Sequence, residues 1–224
     1  MKVVITSATE KETLQIKSTL NPLLTILKQR LDVSFHIIGV GIVSSCFSIA
    51  KLIFEQKPDL IIQAGIAGTF DNNMSLGKVV IVKDEIPGDT GVEENGGFND
   101  LFDLNLQQEN EFPFTEKRLR NCFLSDLNLL KLEEVTGITI NEITTRQARI
   151  EELKAKYQPE IESMEGASLH YCCLQTSTPF IQVRAISNYI GERDKSKWRF
   201  RDAFDNLSES VLEYIHHLDT YETL

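Results

Sequence analysis

The sequence has little cysteine and a charge balance that is unsuited to binding polyanions. Its 224 residues include 4 Cys, none in a C-x-x-C pair, and the adjacent Cys172 and Cys173 are badly placed for a zinc site or an ordinary disulfide framework. Lys and Arg number 23 against 33 Asp and Glu, which gives a net charge of -10, and a surface of that sign repels phosphate backbones. We therefore expect reduced thiols, no metal site and no nucleic-acid partner.

The sequence also lacks a hydrophobic segment long enough to cross a membrane. The longest run without a charged residue or histidine, Ile37 to Ala50, is shorter than the ~20 residues that a transmembrane helix needs. The apolar stretch after Met1 is too short for a signal peptide. With 12 Gly and 6 Pro, the composition is not that of a collagen-like or a Pro/Gly-rich disordered chain. We expect a cytoplasmic protein without a membrane partner.

Short β-branched segments alternate with amphipathic segments along most of the chain. The predicted strands are Lys2–Thr6, Ser34–Val40, Asp59–Ala64, Lys78–Lys83, Glu134–Ile143, Ile161–Met164 and Phe180–Ser187. The predicted helices are Glu10–Arg30, Ser44–Glu55, Ala148–Tyr157, Gly166–Gln175 and Trp198–His217. This alternation predicts one α/β domain over residues 1–224, with a central mixed, mostly parallel β-sheet flanked by helices.

The segment from Pro87 to Pro113 is predicted to be irregular. It is rich in Gly, Asn and acidic residues, and Phe98, Phe102 and Phe112 lie within it. A loop of this length in a compact domain is usually functional or part of an interface. The alternative is a solvent-exposed loop. We favour a loop that packs against a partner subunit, because exposed aromatic side chains are usually buried in a contact.

Glycines follow two of the predicted strands, as Gly39-Val40-Gly41 and Gly65-Ile66-Ala67-Gly68. Open α/β sheets bind ligands at the carboxyl ends of their strands, and glycine lets backbone N–H groups approach a ligand closely. Neither segment is a G-x-G-x-x-G fingerprint, and the sequence contains no Walker A motif. The sequence therefore lacks the phosphate-binding motifs of a dinucleotide-dependent oxidoreductase and of a P-loop NTPase.

Two carboxylates stand out by position. Glu12 follows the first predicted strand, and Glu165 lies between a predicted strand and a predicted helix. Each also suits the first turn of a helix, where the helix dipole favours an acid. Glu165 follows the apolar Met164 at the end of its strand, which predicts that its side chain points into a crevice.

The chain resembles the nucleoside phosphorylase and nucleosidase superfamily over nearly its whole length. The matching segments are Glu12, Gly39-Val40-Gly41, Ala64-Gly65-Ile66-Ala67-Gly68, Leu76-Gly77-Lys78-Val79-Val80, Ser163-Met164-Glu165-Gly166-Ala167 and Val183-Arg184-Ala185-Ile186-Ser187. Within the superfamily, the likeness is greatest to the futalosine hydrolases, through the segments 111–114 and 187–198. Those enzymes remove hypoxanthine from futalosine, a 5′-extended inosine, in menaquinone biosynthesis and leave dehypoxanthinyl futalosine.

The resemblance assigns roles to several residues. Cleavage of an N-ribosidic bond leaves positive charge on the sugar and negative charge on the departing base. Glu165 would bind ribose hydroxyls, with Met164 beneath the ribose, while Glu12 would deprotonate the attacking water and Arg184 would fix Glu12 and that water. The other substrate-binding residues implied are Gly41, Ala67, Gly68, Ile143, Trp198 and Arg193. No cofactor is implied.

Asn188 departs from the pattern of nucleosidases that act on 6-aminopurines, which carry Asp at the matching place. An amide offers an acceptor and a donor side by side, and this pair matches N7–H and O6 of a 6-oxopurine. The resemblance therefore implies hypoxanthine or guanine as the base. Asn188 also suits a turn after a strand.

Two further features bear on the nucleophile and on the 5′ group. Phosphorylases of this superfamily place arginines near the early glycine turns, but here no Arg occurs between Arg30 and Arg118, so water is the expected nucleophile. Ile66 stands where a small hydroxyl residue is frequent. Trp198 would cover the 5′ group, and Arg193, Lys195 or Lys197 would pair with its carboxylate. These cations also suit a solvated helix start.

Three interpretations of function remain open. The first is futalosine hydrolysis, and the second is a phosphorylase or nucleosidase for inosine- or guanosine-type nucleosides. The third is a non-catalytic nucleoside-binding protein, against which the joint presence of Glu12, Glu165 and Arg184 argues. By resemblance the protein should be a homo-oligomer, at least a dimer, with a small-molecule nucleoside as its other partner.

Overall fold

A computed structural model describes residues 1–24, 31–94 and 96–220. The strands are β1 (Lys2–Ser7), β2 (Asp32–Ile37), β3 (Leu60–Thr69), β4 (Val79–Pro87), β5 (Gly91–Glu94), β6 (Gly97–Asp100), β7 (Leu119–Arg120), β8 (Glu134–Thr139), β9 (Ile161–Ser163) and β10 (Phe180–Tyr189). The helices are α1 (Glu10–Leu24), α2 (Ile42–Gln56), α3 (Leu124–Leu127), α4 (Gln147–Tyr157), α5 (Gly166–Thr176) and α6 (Phe200–Thr220).

The central sheet is mixed and mostly parallel, which confirms the predicted fold class. Strands β2, β1, β3 and β10 run parallel to their neighbours, as do β4, β8 and β9. Antiparallel pairing of β10 with β4 and of β9 with β3 joins these two groups. Five strands, β3, β10, β4, β8 and β9, thereby close into a ring, and β1 and β2 extend the sheet from β3.

Helices cover both faces of the sheet because the strands alternate apolar side chains between the two faces. On β1, Val3 and Ile5 pack in a core cluster with residues of α1 and α6, such as Leu20 and Leu207. Val4, between them, packs in a second cluster with residues of α2 and α5. The core residues of both clusters are at most 9% exposed, so the sheet is apolar on both sides.

Three of the predicted boundaries near the site differ from the structure, and a fourth, the predicted helix end at Arg30, lies outside the described residues. The strand predicted to end at Ala64 continues to Thr69, so the predicted glycine turn at 65–68 is wrong: those residues hydrogen-bond along β10 as part of β3. The strand predicted to reach Ile143 ends at Thr139. Trp198 precedes α6, which begins at Phe200; its backbone N–H donates to Lys195 O and its indole N–H to Glu192 O. The predicted helix to Arg30 is described only as far as Leu24.

The segment 87–113 contains the hairpin β5–β6, where the sequence predicted irregular structure. Its aromatic side chains find much of their cover within the chain: Phe98 stacks against the Arg149 guanidinium at 4.5 Å, and Phe102 packs edge-on against Phe114. Phe112 remains 66% exposed. No helix in the described ranges is both long and apolar enough to span a bilayer.

Candidate active site

A cavity of about 270 Å³ opens where β3, β9 and β10 end and the segments 8–12, 143–144 and 187–198 meet. Its lining includes nine of the eleven sequence-predicted site residues. These are Glu12, Ala67, Gly68, Ile143, Met164, Glu165, Asn188, Arg193 and Trp198. Arg184 and Gly41 lie behind the lining, each in contact with Glu165. Residues separated by up to 186 positions in sequence therefore share one site.

Glu12 is held by the start of its own helix. Thr9 and Glu12 form a capping box, in which the Thr9 N–H and hydroxyl both donate to Glu12 Oε2 at 2.9 Å. The side chain is only 6% exposed, and Oε1 is left for other partners. This oxygen lies 3.2 Å from the position that a Cβ at Gly65 would take, and Arg184 Nη1 lies closer still to that position. The absence of a side chain at Gly65 lets Arg184 approach the Glu12 carboxylate.

Glu165 immediately precedes α5, without a side-chain hydrogen bond to the helix start, and is paired with Arg184. Its Oε1 accepts a hydrogen bond from the Gly41 N–H at 3.2 Å, and its Oε2 lies 3.7 Å from Arg184 Nη2. Burial raises the pKa of the Glu165 carboxyl above its usual range, and the nearby Glu12 adds to this, while Arg184 and the Gly41 N–H act in the opposite direction.

Arg184 is fixed on β10 beneath this pair of carboxylates. It is 2% exposed, and its Nη2 donates to Gln63 Oε1 at 2.9 Å. One guanidinium therefore faces two carboxylates, so the site as a whole retains negative charge when both are ionised. The ion pair of Arg184 is with Glu165, whereas Glu12 is positioned by Thr9; the role of Arg184 in fixing Glu12 and a water stays a prediction.

Asn188 lies at the far end of the cavity, where β10 pairs with Gly68. The Ser187 hydroxyl donates to Asn188 Oδ1 at 2.8 Å, and Asn188 Nδ2 donates to Tyr189 O at 3.1 Å. This assignment places the amide oxygen and nitrogen by their hydrogen bonds. Each group keeps capacity for one more bond, because Oδ1 has a second lone pair and Nδ2 a second N–H.

The other end of the cavity is aromatic and carries the guanidinium of Arg193. Trp198 and Phe204 line it, and Phe200 packs between them. The Arg193 guanidinium stacks 5.5 Å from the centre of the Trp198 ring. Within the described part of the chain, Arg193 has no carboxylate at ion-pair distance, whereas Lys197 Nζ lies 2.6 Å from Glu192 Oε2. Of the three predicted cations, Arg193 is thus the one that lines the cavity without such a partner.

Several residues of the site were missed by the sequence analysis. Glu162, Thr144 and Ser187 line the cavity, and Gln63 orients Arg184. The Thr9-x-x-Glu12 spacing was a capping-box signal that could have identified Thr9. The only sequence signal for Glu162 was its position, three residues before Glu165. Among the described side chains, no group of three or more His, Cys, Asp or Glu is arranged to hold a metal ion.

The sequence matches the family model of the Phosphorylase superfamily over residues 7–218. The chain belongs to this superfamily. It is 27% identical to the futalosine hydrolase of Thermus thermophilus over 180 residues, which cover 77% of this chain and 76% of that protein. It is 30% identical to the 5′-methylthioadenosine/S-adenosylhomocysteine nucleosidase of Bacillus velezensis over 187 residues, which cover 80% and 79%.

The fold has the same two kinds of neighbour among solved structures. The futalosine hydrolase of Helicobacter pylori superposes with a TM-score of 0.75 at 14% identity, over 97% of this chain and 98% of that chain. A 5′-methylthioadenosine/S-adenosylhomocysteine nucleosidase of the same organism gives a TM-score of 0.73 at 14% identity and the same coverage. These likenesses concern the fold. Both curated relatives named above are nucleosidases, and this member of the superfamily belongs with them to the N-glycosyl hydrolases.

Proposed function

We propose that this nucleosidase hydrolyses futalosine, releasing hypoxanthine and leaving dehypoxanthinyl futalosine for menaquinone biosynthesis. The observation that carries the proposal is Asn188, an amide oriented by Ser187 at one end of the cavity. The opposite end, where Arg193 stacks on Trp198, suits an aromatic carboxylate. The nucleosidase chemistry lies between these two ends.

The two carboxylates and Arg184 suit a transition state with positive charge on the ribose. Glu165 would bind ribose hydroxyls, and with Glu12 it leaves net negative charge around the sugar, which stabilises a developing cation in a water-poor cavity. Glu12 Oε1 would take the proton of the attacking water, since Thr9 already occupies Oε2. Met164, beside Glu165 in the lining, would pack beneath the sugar.

The amide of Asn188 would recognise a 6-oxopurine. Its free lone pair would accept N7–H of the departing base, and its second N–H would donate to O6. Adenine presents a donor in place of O6, which would set two donors against each other; such buried mismatches discriminate strongly between substrates. Ala67 and Gly68 would lie against the base, because both line the cavity beside Asn188.

The aromatic end of the cavity would take the carboxyphenyl group of futalosine. Trp198 and Phe204 offer ring faces, and Arg193 offers a guanidinium that can pair with the carboxylate. Lys11, whose Nζ lies 5.5 Å from the centre of the Phe204 ring, adds a second cation that the sequence analysis did not identify. Ile143 would close the opposite wall.

Water is the proposed nucleophile. A phosphate dianion needs several cationic partners, and Arg184, which would lie beneath the ribose, is already paired with Glu165. The proposed reaction needs no cofactor. In this proposal the water is held without a hydrogen bond from Ile66, because that side chain carries no hydroxyl.

A second candidate substrate is 5′-methylthioadenosine or S-adenosylhomocysteine, because the Bacillus velezensis nucleosidase is 30% identical to this chain. The charged end of the cavity speaks against the former, whose 5′ group is an uncharged methylthio group. Asn188 speaks against the adenine of both.

The proposal includes a cytoplasmic homo-oligomer, at least a dimer. Val40 lines the cavity and is 54% exposed, and Val43 and Phe47 on the following helix are 85% and 72% exposed. An apolar face that begins at the mouth of the site is suited to a second copy of the chain, which would then complete the site.

The test is to measure release of the free base from futalosine, inosine and 5′-methylthioadenosine at equal concentrations. The proposal expects kcat/KM for futalosine to exceed that for the other two by at least about 100-fold, since only futalosine fits both ends of the cavity. Preference for 5′-methylthioadenosine would replace the proposal by the second candidate. Binding of nucleosides without release of base would contradict the proposal and indicate a non-catalytic nucleoside-binding protein.

A further inference from the structure

Two cysteine thiols meet between α2 and α5, the helices that begin at the active site. Cys46 on α2 is partly exposed, Cys172 on α5 is buried, and their Sγ atoms lie 3.6 Å apart. The Cys172 Sγ also lies 3.6 Å from the carbonyl oxygen of Cys46, so the helices approach closely at this point. Both thiols are free in the structure. Because a disulfide has an S–S distance of about 2.05 Å, a relative shift of about 1.5 Å would bring the sulfurs to bonding distance.

The same two helices hold the carboxylate of Glu165 in place. The N–H of Gly41, immediately before α2, donates to Glu165 Oε1 at 3.2 Å. The Ser45 hydroxyl on α2 lies 2.7 Å from the Gly41 carbonyl oxygen and 2.9 Å from the Ser168 hydroxyl on α5. Ser45 and Ser168 are at most 2% exposed. This buried hydrogen-bonded junction therefore sets the position of Gly41 relative to the helix that follows Glu165.

The thiol pair is the next contact along this junction, since Cys46 follows Ser45 directly and Cys172 lies one helical turn beyond Ser168. We propose that Cys46 and Cys172 form a reversible disulfide under oxidation, and that this bond locks the two helices in the arrangement that holds Glu165. A bond at this place needs no contact of Glu165 to break. The inference does not depend on which nucleoside the enzyme cleaves.

Hydrogen peroxide is the oxidant of the proposed step. The Cys46 sulfur, the more exposed of the two, attacks a peroxide oxygen as its thiolate; the O–O bond breaks, and Cys46 becomes a sulfenic acid while hydroxide takes up a proton to give water. The Cys172 sulfur then attacks the Cys46 sulfur, the S–O bond breaks, and the oxygen leaves as a second water with the Cys172 proton. Two thiols and one peroxide thus give one disulfide and two waters. Burial, with the adjacent Cys46, raises the pKa of the Cys172 thiol to about 12, which suits the second position in this sequence.

The alternative is that the two thiols only pack together through a weak S–H···S contact. Peroxide would then leave both thiols unchanged or would oxidise Cys46 alone to a sulfinic acid. The two possibilities give opposite changes of mass, because a disulfide lowers the mass of the chain by about 2 Da and a sulfinic acid raises it by about 32 Da.

The experiment treats the Cys122→Ala protein, in its native state of assembly, with hydrogen peroxide. This background removes an exposed thiol that would join two chains. We expect mass spectrometry to show one peptide pair linked through Cys46 and Cys172, and dithiothreitol to reverse the link. The temperature of half-inactivation of base release should rise by about 5 °C on oxidation, because a cross-link restricts the unfolded chain. The rate of base release at 25 °C should stay within about twofold.

Two further variants in the same background serve as controls. Cys46→Ala should abolish the linked peptide and the rise in inactivation temperature. Cys173→Ala removes the neighbouring buried thiol, and it should keep both effects. Intact thiols or a sulfinic acid at Cys46 after treatment would overturn the inference. A disulfide that lowers base release more than about tenfold, with recovery in dithiothreitol, would also overturn it, because the bond would then displace Glu165 instead of holding it.

Discussion

At the scale of single residues, two carboxylates that look alike in the sequence differ in their hydrogen-bond partners. Glu12 has one oxygen held by Thr9 and the other available, whereas Glu165 uses both oxygens on protein groups, Gly41 and Arg184. The available oxygen belongs to the residue proposed as general base. The paired carboxylate belongs to the residue proposed to hold the sugar.

This difference predicts the behaviour of Glu12→Gln. An amide keeps an acceptor for Thr9 but cannot take a proton, so we expect kcat to fall by about 10² to 10⁴ with the Kd for free base unchanged. Glu10→Gln is the control, because Glu10 lies in the same helical turn but is exposed. Base-release assays and calorimetry measure the two quantities. A loss of less than about tenfold in kcat would mean that Glu12 is not the general base.

Asn188→Asp should change the preferred base. An aspartate can donate its proton to N7 of adenine but repels the lone pairs of O6, so we expect the ratio of kcat/KM for hypoxanthine to that for adenine substrates to fall at least about tenfold. The readout is competition between paired nucleosides in one reaction. Ser187→Ala, which removes only the hydroxyl that orients the amide, should lower activity without changing that ratio.

Arg193→Ala tests the pocket for the 5′ group. We expect KM for the carboxylated substrate to rise about tenfold, with little change for a nucleoside that has a bare 5′-hydroxyl, because a charge-assisted hydrogen bond is lost. Lys195→Ala is the control, since Lys195 is exposed and does not line the cavity. Equal effects on both substrates would mean that Arg193 does not contact the 5′ group.

The sequence predicted the chemical groups of the site better than their connections. Motif resemblance identified Glu12, Glu165, Arg184 and Asn188, and all four lie at or directly behind the cavity. It could not indicate that Arg184 pairs with Glu165, because that contact depends on how β10 and α5 approach each other. Glu162 was missed because an acid within a short strand has no distinctive sequence pattern.

At the scale of elements, the start of α5 is anchored from below by a buried carboxylate. Thr139 on β8 donates to Glu85 Oε2 at 2.8 Å and accepts at its own hydroxyl from the Ala167 N–H at 2.8 Å. Gln182 donates to Glu85 Oε1 at 2.8 Å. This chain of hydrogen bonds joins three strands to the helical turn that carries Glu165.

Glu85 predicts a pH dependence of stability. Burial raises its pKa from 4.5 to about 7. A carboxyl whose folded pKa is raised holds its proton more tightly in the folded state, so its stabilising contribution is complete below about pH 4.5 and is lost as the pH rises through 7. We expect the free energy of unfolding of wild type to fall, relative to Glu85→Gln, by on the order of 3 kcal/mol across this window. Urea titrations at pH 5 and pH 8 measure this difference, and a constant difference would contradict the assignment.

Element types were predictable where periodicity was long, and boundaries were not. The continuation of β3 through Gly65 and Gly68 could not be foreseen, because glycine more often ends a strand. Pairing with β10, joined at Gly68 and Thr69 by pairing with β9, holds it extended here. The hairpin β5–β6 was missed because its strands have four residues each and their burial does not alternate.

At the scale of the whole molecule, one apolar face is left uncovered. Val43, Phe47 and Phe54 project from α2 with exposures of 71–85%, and they continue from Val40 at the mouth of the cavity. We expect wild type to have at least twice the 25.4 kDa mass of the chain in light scattering. The doubly substituted Val43→Glu, Phe47→Glu protein should be shifted toward the monomer, because it places charge in the apolar interface.

The control for this experiment is Leu14→Glu, which adds one negative charge, where the double substitution adds two, at a 57% exposed leucine of α1 on the other side of the sheet. It should leave the mass unchanged. A wild-type mass of 25.4 kDa would contradict the proposed oligomer, and so would an equal effect of the two changes.

In the proposed reaction, water guided by Glu12 cleaves the bond between ribose and hypoxanthine in futalosine. The most direct measurement is release of hypoxanthine from futalosine with and without inorganic phosphate, with the sugar product analysed by mass. Hydrolysis by water requires equal rates under both conditions and a free sugar hydroxyl at C1. A rate that depends on phosphate, together with a sugar 1-phosphate product, would contradict it.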